Sequence, residues 1–124
     1  MKEITKIARR ILIGFIIFID ILLLIGIYIT KLRVTDISEY MNKNNGYKVI
    51  FQSVGEPEWP FGATKVRVTL VNNRNRKIEQ FEEEINNDGA IAREENIEIT
   101  WHEDYVEIIL KGGEQKDSIH TIKY

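Results

Sequence analysis

The chain lacks cysteine altogether, and it is poor in proline (two), histidine (two) and serine (Ser38, Ser53 and Ser118). Without cysteine there is no disulfide framework, no thiolate metal site and no lipid-modified cysteine at a processing point. None of the three serines is flanked by the glycines of a nucleophile elbow, and two histidines leave little material for a triad. Phosphate-loop, dinucleotide-fold and zincin patterns are missing too. Acids are plentiful, so paired carboxylates of the glycosidase kind always exist on paper, but such pairs carry no specificity. No catalytic, metal-binding or cofactor-binding residues are expected, and no small-molecule ligand is identifiable.

Positive charge is also scarce where a nucleic-acid surface would need it. Residues 36–124 hold 11 Lys/Arg against 17 Asp/Glu, a balance of −6, whereas residues 1–35 hold six basic residues against Glu3 and Asp20, a balance of +4. A domain of −6 has no basic stripe for phosphates and is weakly repelled by anionic lipid surfaces. The run Glu82-Glu83-Glu84 reads as a solvated edge.

What the chain does have is one long apolar run, Ile11 to Ile29, of 19 residues, 15 of them Ile, Leu or Phe. As a helix it covers about 28 Å, close to the ~30 Å hydrocarbon core of a bilayer. Near the helix centre each such residue favours insertion by roughly 0.3–0.6 kcal/mol, while a central Asp opposes it by roughly 2.5–3.5 kcal/mol. Fifteen favourable contributions outweigh the single Asp20. The remaining chain is too small to wrap an all-apolar helix in a soluble core. The run exceeds the ~7–15 residues of a signal-peptide core. No small-x-small cleavage pattern follows it, so an uncleaved anchor is expected. Lys2, Lys6, Arg9 and Arg10 precede the span, and only Lys31 and Arg33 follow closely. That bias puts the N-terminus in the cytoplasm and the C-terminal part outside the cell membrane.

Asp20 lies at the midpoint of the span, and its neighbours one turn away, Ile16, Ile17, Leu23 and Leu24, are all apolar. One reading is a contact with another membrane protein or with a second copy of this chain, through ion pairing or hydrogen bonding. The other is a polar residue tolerated in a protonated or hydrated form. Gly14 and Gly26 are too far apart for a GxxxG face.

Four segments are expected: a basic tail (1–10), the transmembrane helix (11–29), a juxtamembrane linker with a short helix (30–46) and a β domain (47–124). The linker helix rests on Asp36 and Glu39 as a capping box, on Ile37, Tyr40 and Met41 as an apolar face, and on Asn44-Asn45-Gly46 as a stop. Beyond Gly46 the pattern alternates. Val66, Val68 and Leu70 share one face, as do Ile97, Ile99 and Trp101, and as do Val106, Ile108 and Leu110. Tyr47–Ser53 and Ser118–Tyr124 are further strands. Ile78, Phe81 and Ile85 have a helical spacing, but 77–85 lies between tight turns and is expected as a strand with an irregularity. Turn chemistry separates the strands at 72–75, 86–89, 102–104 and 112–113. These connections are too short for parallel crossovers. The fold class is therefore an all-β domain behind one transmembrane helix: an antiparallel meander of about six strands, curled or folded into a small sandwich.

The loop Gly55-Glu56-Pro57-Glu58-Trp59-Pro60-Phe61-Gly62 is the most distinctive stretch of that domain. Its prolines fix φ and block pairing. The structural reading folds Trp59 and Phe61 back to cap one end of the core. The functional reading makes Trp59, Pro60 and Phe61 a rigid contact loop for a protein, glycan or peptide. Trp59-Pro60 is a candidate for a cis bond, against a base rate of only ~5% for X–Pro. His102, Glu103 and Asp104 resemble a metal cluster in type but are expected to face water in their turn, and His120 alone completes nothing.

Three stretches carry a resemblance: Val54 to Gly62, Asn87-Asp88-Gly89-Ala90, and Ile97 to Ile108 with the Gly-Gly-Glu-Gln turn at 112–115. Over roughly residues 47–124 the chain resembles uncharacterised small membrane-anchored proteins of low-GC Gram-positive bacteria, in which one N-terminal span precedes a compact β domain. The resemblance implies that architecture and no chemistry. The function expected is a non-enzymatic binding or accessory role at the cell membrane, with the lipid bilayer as one partner. The alternatives are a protective or regulatory protein acting through its span with the β domain as sensor, and an extracytoplasmic hydrolase.

Overall fold

Residues 2–124 are described by a computed structural model. Helix α1 runs from Lys2 to Ile27, and the chain continues through one π-helical turn, Tyr28–Leu32. Together these 31 residues form a helix long and apolar enough to cross a membrane, and none of α1 is buried by the rest of the protein. The helix begins upstream of Ile11 and includes residues 2–10 of the basic tail. Ile4, Ile7 and Ala8 continue the helical pattern, no breaker intervenes, and Glu3 meets Lys6 one turn on at 3.8 Å. The 26 residues of α1 extend about 39 Å, more than the ~30 Å of a hydrocarbon core. At the other end the Thr30 hydroxyl donates to the Gly26 carbonyl at 2.8 Å, and the Arg33 amide closes the π turn on the Tyr28 carbonyl.

Seven strands follow: β1 (Val34–Met41), β2 (Lys48–Val54), β3 (Thr64–Val71), β4 (Lys77–Ile85), β5 (Ile97–Trp101), β6 (Tyr105–Leu110) and β7 (Ser118–Lys123). They form two antiparallel sheets, β1-β2-β3-β4 and β5-β6-β7, packed face to face as a small sandwich. The strand β1 is where sequence expectation fails. The residues read as a linker helix, Asp36 to Met41, pair with β2 instead, from Val34 opposite Val54 to Met41 opposite Lys48. Val34, Thr35, Ile37 and Tyr40 suit a pleated surface, and the open edge of β2 offers a ladder that a two-turn helix could not match. Asp36 caps nothing; it accepts a hydrogen bond from Gln52 of β2 at 2.7 Å. Asn44-Asn45-Gly46 does use a positive φ, at Gly46 (+76°), but to turn a hairpin.

The irregularity expected in β4 is a bulge. Leu70 faces Glu79 and Val71 faces Lys77, which leaves Ile78 as the extra residue. A second bulge, at Ile37, lets that side chain pack on the core. The core is the alternating set read from the sequence. Val66, Val68 and Leu70 of β3 and Val106, Ile108 and Leu110 of β6 are fully buried, with Val49 and Phe51 between them. Ile97 is buried, while Ile99 and Trp101 lie half-buried at its margin.

The glutamate run is not a uniformly wet edge. Its middle residue turns inward: Glu82 pairs with Arg67 at 2.8 Å on the outer face, whereas half-buried Glu83 reaches across to sheet two. Lys111 and Glu98 meet at 2.8 Å, a bond that raises the Lys111 pKa, with the Glu98 charge adding to it.

The register sorts the loops into two ends. Val34 pairs with Val54, Thr64 with Ile85, and Leu110 with both Ile97 and Ser118. Loops 55–63, 86–96 and 111–117 therefore gather at the end beside the helix. The far end holds loops 42–47, 72–76 and 102–104 together with Tyr124.

Candidate functional site

The helix is fastened to the sandwich by its own exit turn. The Glu56 amide donates to the Thr30 carbonyl at 2.8 Å, the Gly55 amide donates to the Arg33 carbonyl at 2.7 Å, and Lys31 lies 3.9 Å from Glu58. Gly55 has φ +71°, and a Cβ there would stand 2.4 Å from the Thr30 oxygen. Only glycine allows that approach. A notch of about 140 Å³ remains between the helix exit and the loop, lined among others by Thr30, Lys31, Glu56 and Glu58.

From this collar the loop carries Trp59, Pro60 and Phe61 outward. The Trp59-Pro60 bond is cis. The loop closes on itself, with the Gly62 amide on the Glu58 carbonyl at 2.6 Å and the Glu58 amide on the Ala63 carbonyl at 3.2 Å. Trp59 is 92% exposed and Phe61 74% exposed, so neither caps the core. The end of the core they were expected to cover is closed instead by loop 86–96. Gly89 approaches the loop so closely that a Cβ would lie 3.1 Å from the Phe61 Cα, and Ile91 nearby is 54% exposed.

Asp20 lies on α1, away from this loop, and among the described residues no hydrogen bond or ion pair holds it. The two features singled out from the sequence are therefore not brought together: one is inside the span, the other at its exit.

Two further constellations emerge only in three dimensions. Ser118, His120 and Glu83 form a chain in which the Ser118 Oγ is 3.2 Å, and the Glu83 Oε2 2.6 Å, from the same ring nitrogen, Nε2 of His120. A nucleophilic triad needs serine and acid on opposite nitrogens of the ring, so this set cannot relay a proton from serine to acid. Phe81 stacks on His120 at 4.2 Å, which completes an inter-sheet clamp.

At the far end Asn42, Asn44, Asn45, Trp101, His102 and Glu103 line a shallow cleft of about 360 Å³. Three of its polar acceptors are already engaged. Asn42 Oδ1 accepts from the Asn44 amide and Asn45 Oδ1 from the Tyr47 amide, while the Tyr124 hydroxyl donates to the His102 carbonyl. The His102 ring stacks on Tyr105 at 4.1 Å and is half-buried at the cleft wall, while Glu103 and Asp104 are exposed. Among the described residues no three His, Asp or Glu side chains stand close enough to hold a metal. Alternation along β4 and β7 places Glu83 and His120 on inner faces, a signal present in the sequence; their pairing across sheets is not.

Comparison with protein-family models, with characterised proteins and with solved structures yields no match.

Proposed function

We propose that this is a single-pass membrane protein, N-terminus in the cytoplasm, that presents a non-enzymatic β-sandwich on the outer face and serves as a binding or accessory subunit. The observation that carries the reading is Asp20: a carboxyl at the centre of the apolar run of a helix that has no buried residue, with no side-chain partner among the described residues. Intramembrane ionisable groups are costly and are usually met by a partner group on another helix. A basic side chain of another membrane protein, or the same aspartate in a second copy, supplies that group. The Ser118-His120-Glu83 geometry favours the non-enzymatic side of the reading, because it ties sheets together instead of activating a nucleophile. The resemblance to small anchored β-domain proteins of low-GC Gram-positive bacteria rests mainly on the Trp-Pro-Phe-Gly stretch, which is the loop fastened to the helix exit.

The test is crosslinking in intact cells with a photoreactive residue at position 20. One defined membrane protein, or a dimer of this chain, is the expected adduct. No adduct at any expression level would overturn the accessory role.

A further inference from the structure

We infer that Trp59 and Phe61 insert into the interfacial layer of the bilayer that α1 crosses, so that the sandwich stands on the membrane in one fixed attitude. The inference rests on the reading of α1 as a retained span. It assigns the aromatic loop to lipid rather than to a protein, glycan or peptide ligand.

Position comes first. The apolar run ends at Ile29, so Thr30 marks the level at which the chain leaves hydrocarbon. The Glu56 amide is hydrogen-bonded to the Thr30 carbonyl at 2.8 Å, which places the start of the loop at that level. Trp59 is three residues further on, and three residues of extended chain reach at most about 11 Å. The headgroup layer on each side is roughly 5–8 Å deep. Trp59 therefore stands within that layer or at most a few ångströms beyond it, and β2 runs towards the helix end, so the loop leaves the sheet on the bilayer side.

Chemistry comes second. In the β domain Trp59 and Phe61 are the two most exposed large apolar side chains, at 92% and 74%. They are carried by a loop that is hydrogen-bonded within itself. Tryptophan prefers the headgroup level, where an amphipathic ring meets both water and acyl chain. Glu56 and Glu58 flank the aromatics and limit the depth, and Lys31 at 3.9 Å offsets the Glu58 charge. With carboxylates rather than a basic cluster beside the aromatics, the occupant is zwitterionic lipid, held by ring burial and not by headgroup charge.

The experiment uses the full chain reconstituted in phosphatidylcholine vesicles. Trp101→Phe leaves Trp59 as the one tryptophan of the two in the chain. Its emission is expected to be blue-shifted, quenched by lipid brominated near the glycerol end of its chains, and shielded several-fold from aqueous iodide. A second variant, Phe61→Cys carrying an environment-sensitive fluorophore, gives the same readout without touching the core, since the chain has no other cysteine. Retention of the protein after an alkaline carbonate wash, with both probes open to iodide and untouched by brominated lipid, would overturn the inference and leave the span reading standing. Release by the wash would overturn both. Probes exposed in pure vesicles but shielded in native membranes would mean that a protein occupies the loop, which also overturns it.

Discussion

His120 of β7 and Glu83 of β4 meet at 2.6 Å and join the two sheets through their side chains. Both are roughly one-third exposed, and Phe81 stacks on the imidazole. A partly solvated pair of this kind contributes about 1 kcal/mol. His120→Ala is expected to lower the unfolding free energy of the detergent-solubilised protein by that amount, read as a lower urea midpoint at unchanged slope, whereas Glu103→Gln in the exposed turn should leave the midpoint unmoved.

Asn96 is 4% exposed and holds two loops together. Its Oδ1 accepts from the Arg93 amide and its Nδ2 donates to the Lys111 carbonyl, both at 2.8 Å. Asn96→Ala removes the partner of both part-buried backbone groups, and about 1–3 kcal/mol is the cost of a fully buried orphan, the upper bound for each. A larger loss of stability than for His120→Ala is expected in the same titration.

Gly55→Ala acts at the joint between helix and sandwich. The new methyl group would collide with the Thr30 carbonyl at a φ of +71°. A loss of more than about 1 kcal/mol is expected. It should appear as faster amide exchange at Gly55 and Glu56, with exchange in β3 and β6 unchanged.

Asp20→Leu should leave membrane insertion intact, because it removes the one unfavourable contribution of the run. It is expected to abolish co-purification of the partner, or self-association, when solubilised membranes are fractionated. Unchanged association would remove the role given to Asp20.

The strands whose alternation was unbroken were legible in sequence: Val66-Val68-Leu70 and Val106-Ile108-Leu110 are buried to the last atom. β1 was not, because Asp36, Glu39 and Asn44-Asn45-Gly46 carry signals that cap a helix as well as they turn a hairpin. The choice between them lies with β2, which is remote from local propensity. Trp59 and Phe61 were legible as a distinctive pair, but not their exposure. A hydrophobic ring says only that it needs an apolar neighbour, and in this chain loop 86–96 already closes the end of the core. The inter-sheet clamp of Glu83 and His120, 37 positions apart, depends on how two sheets stack, which no period along the chain encodes.

A retained single span with the sandwich outside is directly testable in this cysteine-free chain. Lys6→Cys and Lys43→Cys are to be treated, separately and in intact cells, with a membrane-impermeant maleimide. Labelling at position 43 without lysis, and at position 6 only after lysis, both on the full-length chain, is the expected result. The reverse pattern, or a labelled product that has lost its N-terminal segment, would contradict it.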